Sequence, residues 1–134
     1  YKARLGWIGY HPSLLPLHRG RSSVQWAIKM REHITGGTVF WLNSGIDRGD
    51  IAYQDFTFIE PKYMLMDVNK AAKELWREEL QPMGVMLLER ALCDISNGVI
   101  KKVPQNPKLS TFEPSMEVKD IYKPDLLMLE EKYI

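Results

Sequence analysis

The sequence predicts an α/β fold, a mostly parallel sheet with flanking helices. Three observations point to it: a short apolar run stopped by His11-Pro12, a β-branched and aromatic run introduced by Gly36-Gly37, and an amphipathic segment between them that can act as a crossover helix. Open sheets of this kind bind ligands where loops leave the carboxyl ends of strands. The loops HPSLLPLHRGRSS and NSGIDRGD take those positions.

Leu5 to Tyr10 reads as a buried strand, because its apolar run ends where His11-Pro12 disfavours further regular structure. Pro12, Pro16 and Gly20 then constrain the backbone of a loop. Ser22 or Ser23 caps the helix VQWAIKMREH, with Val24, Ile28 and Trp26 turned inward. TVFWL reads as an interior strand and IAYQDFTFI as a strand near the sheet edge. Asp67 is the expected N-cap of a helical stretch running to about Ser96, which Pro82 should kink or divide. Asn97-Gly98 terminates it. Beyond it, Pro104, Pro107, Pro114 and Pro124 mark an irregular strap.

With 134 residues, the chain has the size of one domain. Its 18 Lys and Arg residues nearly balance 17 Asp and Glu, so the net charge of +1 gives no broad field for nucleic acid or anionic lipid. Cys93 is the one cysteine, which excludes an internal disulfide and a thiol zinc cluster and suggests a reducing, cytoplasmic setting. No run approaches the roughly 18 apolar residues of a membrane span, so no membrane partner is expected.

His11 follows a strand and precedes a proline-locked turn, where an imidazole can donate or accept a proton near neutral pH. Read alone, it also fits a histidine that closes a strand end by bonding backbone carbonyls. Asp47 lies between Gly45 and Gly49 in a loop that lets a flat ligand approach, and its carboxylate can orient an imidazole or activate water. Asp50 competes for that role, and an ordinary surface turn would also explain Asp47. Neither aspartate belongs to a calcium-loop pattern, so no metal is expected. Arg19 and Arg21 can hold an anion or serve solubility. The loop position of His18 suggests a solvated side chain, and His33 suits a helix C-terminus. Trp26, Trp41 and Trp76 are read as packing residues.

GYHPSLLPLHRG, followed by ITGGTVFWLNSGIDRGDIAYQ with its aspartate 36 residues after the histidine, resembles the 10-formyltetrahydrofolate-dependent formyltransferase family. The resemblance is strong from Leu5 to about Gln54 and less specific in LERALCDISNG and QNPKLSTFEPS. It implies a Rossmann-like, formyltransferase-type fold and transfer of a formyl group from 10-formyltetrahydrofolate to an acceptor amine. Hydrolysis of the same donor and an inactive folate-binding or interaction module are the alternatives. The family pattern maps His11 and Asp47 onto the catalytic histidine and aspartate. It puts Ser13, Leu14 and Leu15 beside the reaction centre and Asn43, Ser44, Gly45 and Ile46 on the folate-cradling loop. Arg19 and Gly20 fall on the turn expected to face the acceptor. That acceptor is a small-molecule amine or an aminoacyl or sugar-nucleotide compound, with nucleic acid involved only if it is a tRNA.

The resemblance begins near the middle of the family's catalytic domain. Residues 1–103 are therefore expected to form the C-terminal half of that domain, and 104–134 an irregular tail or a connection. One departure matters: Gly9 stands where the family has an asparagine that, with the histidine, stabilises the developing oxyanion. Loss of one such donor typically removes about 3 kcal/mol of transition-state stabilisation.

Overall fold

The computed structural model describes residues 3–116. Three strands form one sheet in the order β1 (Ile8–His11), β2 (Ile34–Trp41), β3 (Ile51–Phe58). β2 is the interior strand and is buried from Thr35 to Phe40, as its β-branched and aromatic content requires. Gly36 and Gly37 lie within it and do not merely precede it.

Both strand pairs are antiparallel, with His11 opposite Thr38 and Thr38 opposite Gln54. The expected parallel order is therefore not found among the described residues. The reason lies in α1 (Ser23–Lys29), which packs on α2 (Pro61–Met64) and α3 (Val68–Leu75) and does not carry the chain across the sheet. The chain re-enters at the end where β1 left, and β2 must run back along it. The two candidate loops consequently leave opposite ends of the β1–β2 pair. They meet because the first loop lies back over the sheet face, where Leu15 N–H donates to Thr38 Oγ1 (3.1 Å) and Gln54 Nε2 donates to Leu15 O (2.7 Å).

Ser22 occupies the N-cap position of α1 but makes no side-chain cap bond, its Oγ accepting instead from Met116 N–H. Asp67 does cap α3, accepting from Asn69 and Lys70 amides. At the expected break, the helical path passes from α3 through a π-helical turn (Trp76–Leu80) into α4 (Gln81–Ser96). Pro82 sits in the first turn of α4, where its missing N–H costs little. The wider turn absorbs the mismatch.

Two cores result. Val24, Ala27, Ile28, Tyr63, Leu75 and Leu80 join the helices, while Met83, Leu87 and Ala91 of α4 cover Val39 and Ala52 of the sheet. Tyr10 links them: its ring fills the space left by Gly37 and Gly84, where a Cβ would come within 2.2 and 2.5 Å of it. Its hydroxyl donates to Leu80 O at 2.6 Å, inside the π turn. Burial pushes its phenol above the ordinary tyrosine range. Tyr10→Phe is expected to cost about 1 kcal/mol, read as a lower urea midpoint at unchanged slope, because it removes that bond. An unchanged midpoint would show that the bond contributes nothing.

Among the described residues, no helix is long and apolar enough to cross a membrane. The tail beyond α4 crosses the sheet end through a bridge between Val103 and Ile51, then runs beside the first loop through a bridge between Phe112 and Arg19. Residues 117–134, the remainder of the expected tail, lie outside the described residues.

Candidate functional site

His11 ends β1 and is 7% exposed. Its Nε2–H donates to the carbonyl of His18 at 2.7 Å. That bond fixes the tautomer and leaves Nδ1 as the nitrogen available for chemistry. Nδ1 lies 3.6 Å from Asp47 Oδ2. The separation exceeds a direct hydrogen bond but lies within ion-pair reach. The two residues singled out by the sequence therefore converge, although their loops start from opposite ends of the strands.

Asp47 is held by two hydrogen bonds. Its backbone has φ of +52°, a left-handed conformation that costs an L-residue roughly 1–2 kcal/mol. Its Oδ2 accepts from the Gly20 amide at 2.8 Å, and its carbonyl accepts from Gln105 Nε2 at 2.8 Å. The glycine beside it is required by space: a Cβ on Gly49 would fall 1.4 Å from Trp41 O. Asp50, the competing acid, closes the corner through its backbone, accepting from Trp41 N–H.

The remaining candidates divide by geometry. Ser13 and Leu15 are enclosed, Ser13 Oγ donating to Leu17 O and Ser13 O accepting from Thr38 Oγ1. They shape the loop, and half-buried Leu14 packs over Gly36. In the second loop Asn43 Oδ1 accepts from Gly45 N–H, forming a local turn. Ser44 and Ile46 are exposed, and their backbone groups have no partner among the described residues. A flat heteroaromatic ring with donors and acceptors on its edge fits such a loop. Arg19 is 8% exposed and donates from Nε and Nη2 to Gln105 Oε1 at 3.3 and 2.8 Å. Burial and then the nearby Arg48 lower its pKa from the ordinary arginine value, against the opposing pull of Asp47. Gly20 contributes its amide to Asp47, and its φ of +103° suits glycine alone.

Two features escaped the sequence. His18, expected in solvent, is 5% exposed, with Nε2 2.6 Å from Glu32 and Nδ1 3.1 Å from Glu113. Its carbonyl is the one that orients His11, so this residue joins the carboxylate pair to the His11 ring. Gln105 is the second, a tail residue bonded to both loops. Trp26 and Trp41 are half-buried at the margins, their indoles donating to Pro114 O and Lys101 O. Gly9 is on the same face of β1 as His11, and a side chain there would press on Leu42 Cδ2 at 3.0 Å. A groove of about 520 Å³ opens beside Pro12, lined by Arg21, Gln25, Asn69, Lys73 and Trp76.

Comparison with known proteins gives the family. The family model described as formyl transferase matches residues 1–81. The chain is 34% identical over 108 residues to the mitochondrial 10-formyltetrahydrofolate dehydrogenase of Homo sapiens, covering 81% of this chain and 11% of that protein. It is 36% identical over 116 residues to the methionyl-tRNA formyltransferase of Koribacter versatilis, covering 87% of this chain and 35% of the relative. In fold it is similar to HypX from Aquifex aeolicus in complex with tetrahydrofolic acid, with a TM-score of 0.67 at 21% identity, over 86% of this chain and 19% of that one. The formyltransferase PseJ from Anoxybacillus kamchatkensis gives a TM-score of 0.65 at 22% identity, over 94% and 59% of the two chains. The match therefore covers part of each of these larger proteins, and the chain belongs to the formyl transferase family.

Proposed function

We propose that this chain forms part of an enzyme that transfers a formyl group from 10-formyltetrahydrofolate to an acceptor amine in the cytoplasm. The observation that carries the reading is the His11–Asp47 pair: a buried imidazole with Nε2 committed to His18 O, facing a carboxylate 3.6 Å from Nδ1. The exposed loop of Ser44 and Ile46 supports it, since the backbone groups of these two residues, without a partner among the described residues, suit the edge of a pterin.

When bound, the folate donor supplies an electrophilic formyl carbonyl. His11 would hold a proton at Nδ1 and donate it toward the oxygen that gains negative charge as the amine adds. Asp47 would stabilise the protonated ring and receive the proton released by the amine. It would return that proton to the folate nitrogen as the bond from that nitrogen to the formyl carbon breaks, the oxygen giving its proton back to His11. The fixed positions of both groups reduce the entropy lost in bringing them to the reacting carbon. Arg19 and Gly20 act on this face through Gln105 and Asp47, and Arg21 and Lys73 line the groove on the other side of Pro12. That cationic rim favours an acceptor that carries an anion, such as a sugar nucleotide, an aminoacyl-tRNA or a ribonucleotide.

Hydrolysis is the second reading, favoured by the similarity to a 10-formyltetrahydrofolate dehydrogenase. The intact protein, given donor labelled in its formyl group and a set of candidate amines, separates the two. Label on an amine supports transfer, formate alone supports hydrolysis, and donor binding without release of label overturns both.

A further inference from the structure

We propose that Gln105 is a positioning residue for this reaction, holding Asp47 in its left-handed conformation and so aiming the carboxylate at His11. The inference rests on the formyl-transfer reading of the His11–Asp47 pair.

The Gln105 amide is saturated by site contacts. Its Nε2 donates to Asp47 O and to Gly49 O, both at 2.8 Å, and its Oε1 accepts from Arg19 Nε and Nη2. One side chain thus fastens the second loop at the backbone of its acid and grips the arginine that precedes Gly20. Gly20 in turn donates to the Asp47 carboxylate, so Gln105, Arg19, Gly20 and Asp47 form a closed ring of contacts. A ring of this kind fixes two things at once, the loop backbone and the direction of the side chain.

Asp47 needs such support because its φ of +52° is unfavourable for an L-residue and persists where surrounding bonds over-determine it. Without the two Nε2 bonds, the loop can relax toward ordinary backbone angles. The carboxylate then swings from His11, and misplacement of a catalytic group by about 1 Å can cost about 100-fold in rate. Loss of groups that orient a primary ligand or catalyst typically costs 10–100-fold. Gln105 touches no reacting atom, so its influence falls on kcat and leaves donor affinity largely alone.

Two substitutions separate this role from a purely structural one. Gln105→Ala removes every contact. Gln105→Glu keeps an acceptor for Arg19, strengthened by charge, and loses both donors to the Asp47 loop. If Gln105 acts through Asp47, both variants of the intact protein lower kcat by about 10–100-fold with KM for the folate donor within about threefold. Both variants are assayed well below their thermal midpoints, which fall because the Asp47 and Gly49 carbonyls lose their donor. If Gln105 only fastens the tail to Arg19, Gln105→Glu retains kcat, and that result overturns the proposal.

A second measurement does not depend on turnover. In a proton–nitrogen NMR spectrum the Gly20 amide, bonded to a carboxylate, resonates well downfield. It should move upfield in Gln105→Glu as in Asp47→Asn, and an unmoved Gly20 signal also overturns the proposal. If instead His11→Ala and Asp47→Asn leave turnover intact, the formyl-transfer reading fails, whereas the Gly20 signal still decides whether Gln105 controls Asp47.

Discussion

His11→Ala is expected to lower formyl transfer by about 100- to 10,000-fold, the usual worth of a positioned acid–base group. The loss should appear in kcat and in kcat/KM together, because Nδ1 is invoked as charge develops and not in binding the donor. The substitution also strands the buried His18 carbonyl, which now accepts from Nε2, so a stability loss of about 1–3 kcal/mol should accompany it. Assays run well below the variant's thermal midpoint separate the two effects. Asp47→Asn supplies the control, since it leaves the His18 bond untouched. A His11→Ala protein that turns over at the wild-type rate would remove His11 from the mechanism.

Gly49→Ala is expected to have the largest effect on folding. The added methyl would lie 1.4 Å from Trp41 O, a backbone atom in the corner closed by the bond from Trp41 N–H to Asp50 O. Neither partner can rotate away as a side chain end would, so the corner between β2 and β3 must open. Over-packing of this kind costs about 3 kcal/mol or more, which lowers the thermal midpoint by roughly 10 °C or more. Activity should fall further than stability explains, because Asp47 is two residues away. Gly45→Ala is the contrast: the methyl there meets the flexible Arg48 side chain and should cost much less. A Gly49→Ala protein melting within 2 °C of the wild type, roughly a negligible change by the same scale, would show that the corner is not close-packed.

The convergence of His11 and Asp47 was legible through the family resemblance of their two loops, since each residue read alone also fits an ordinary strand end or turn. The helix start at Asp67 and the break near Pro82 were legible because capping and missing amides act over a few residues. Strand direction was not. An amphipathic segment between two strands has the same periodicity whether it crosses the sheet or packs elsewhere, and contacts of α1 with α3 decided the matter. His18 was misread because its burial depends on Glu32 and Glu113, which sequence spacing does not bring near it. Gln105 was hidden in a proline-rich strap, where a glutamine between Pro104 and Asn106 carries no mark of what its amide meets. Ser22 shows the limit of even a good local signal. It took the N-cap position, yet its hydroxyl was claimed by the Met116 amide.

The strap that supplies Gln105 also sets an order of events during synthesis. When a nascent chain has emerged only as far as Val103, all three strands and α4 are available to pack, so a stable hydrophobic interior can already exist. The acid opposite His11 nevertheless lacks its tether until the next two residues leave the ribosome, and His18 lacks one of its carboxylates until Glu113 follows. The His11–Asp47 geometry and the hydrophobic interior are thereby completed at different lengths of the same growing polypeptide, the first only after the second has begun to pack.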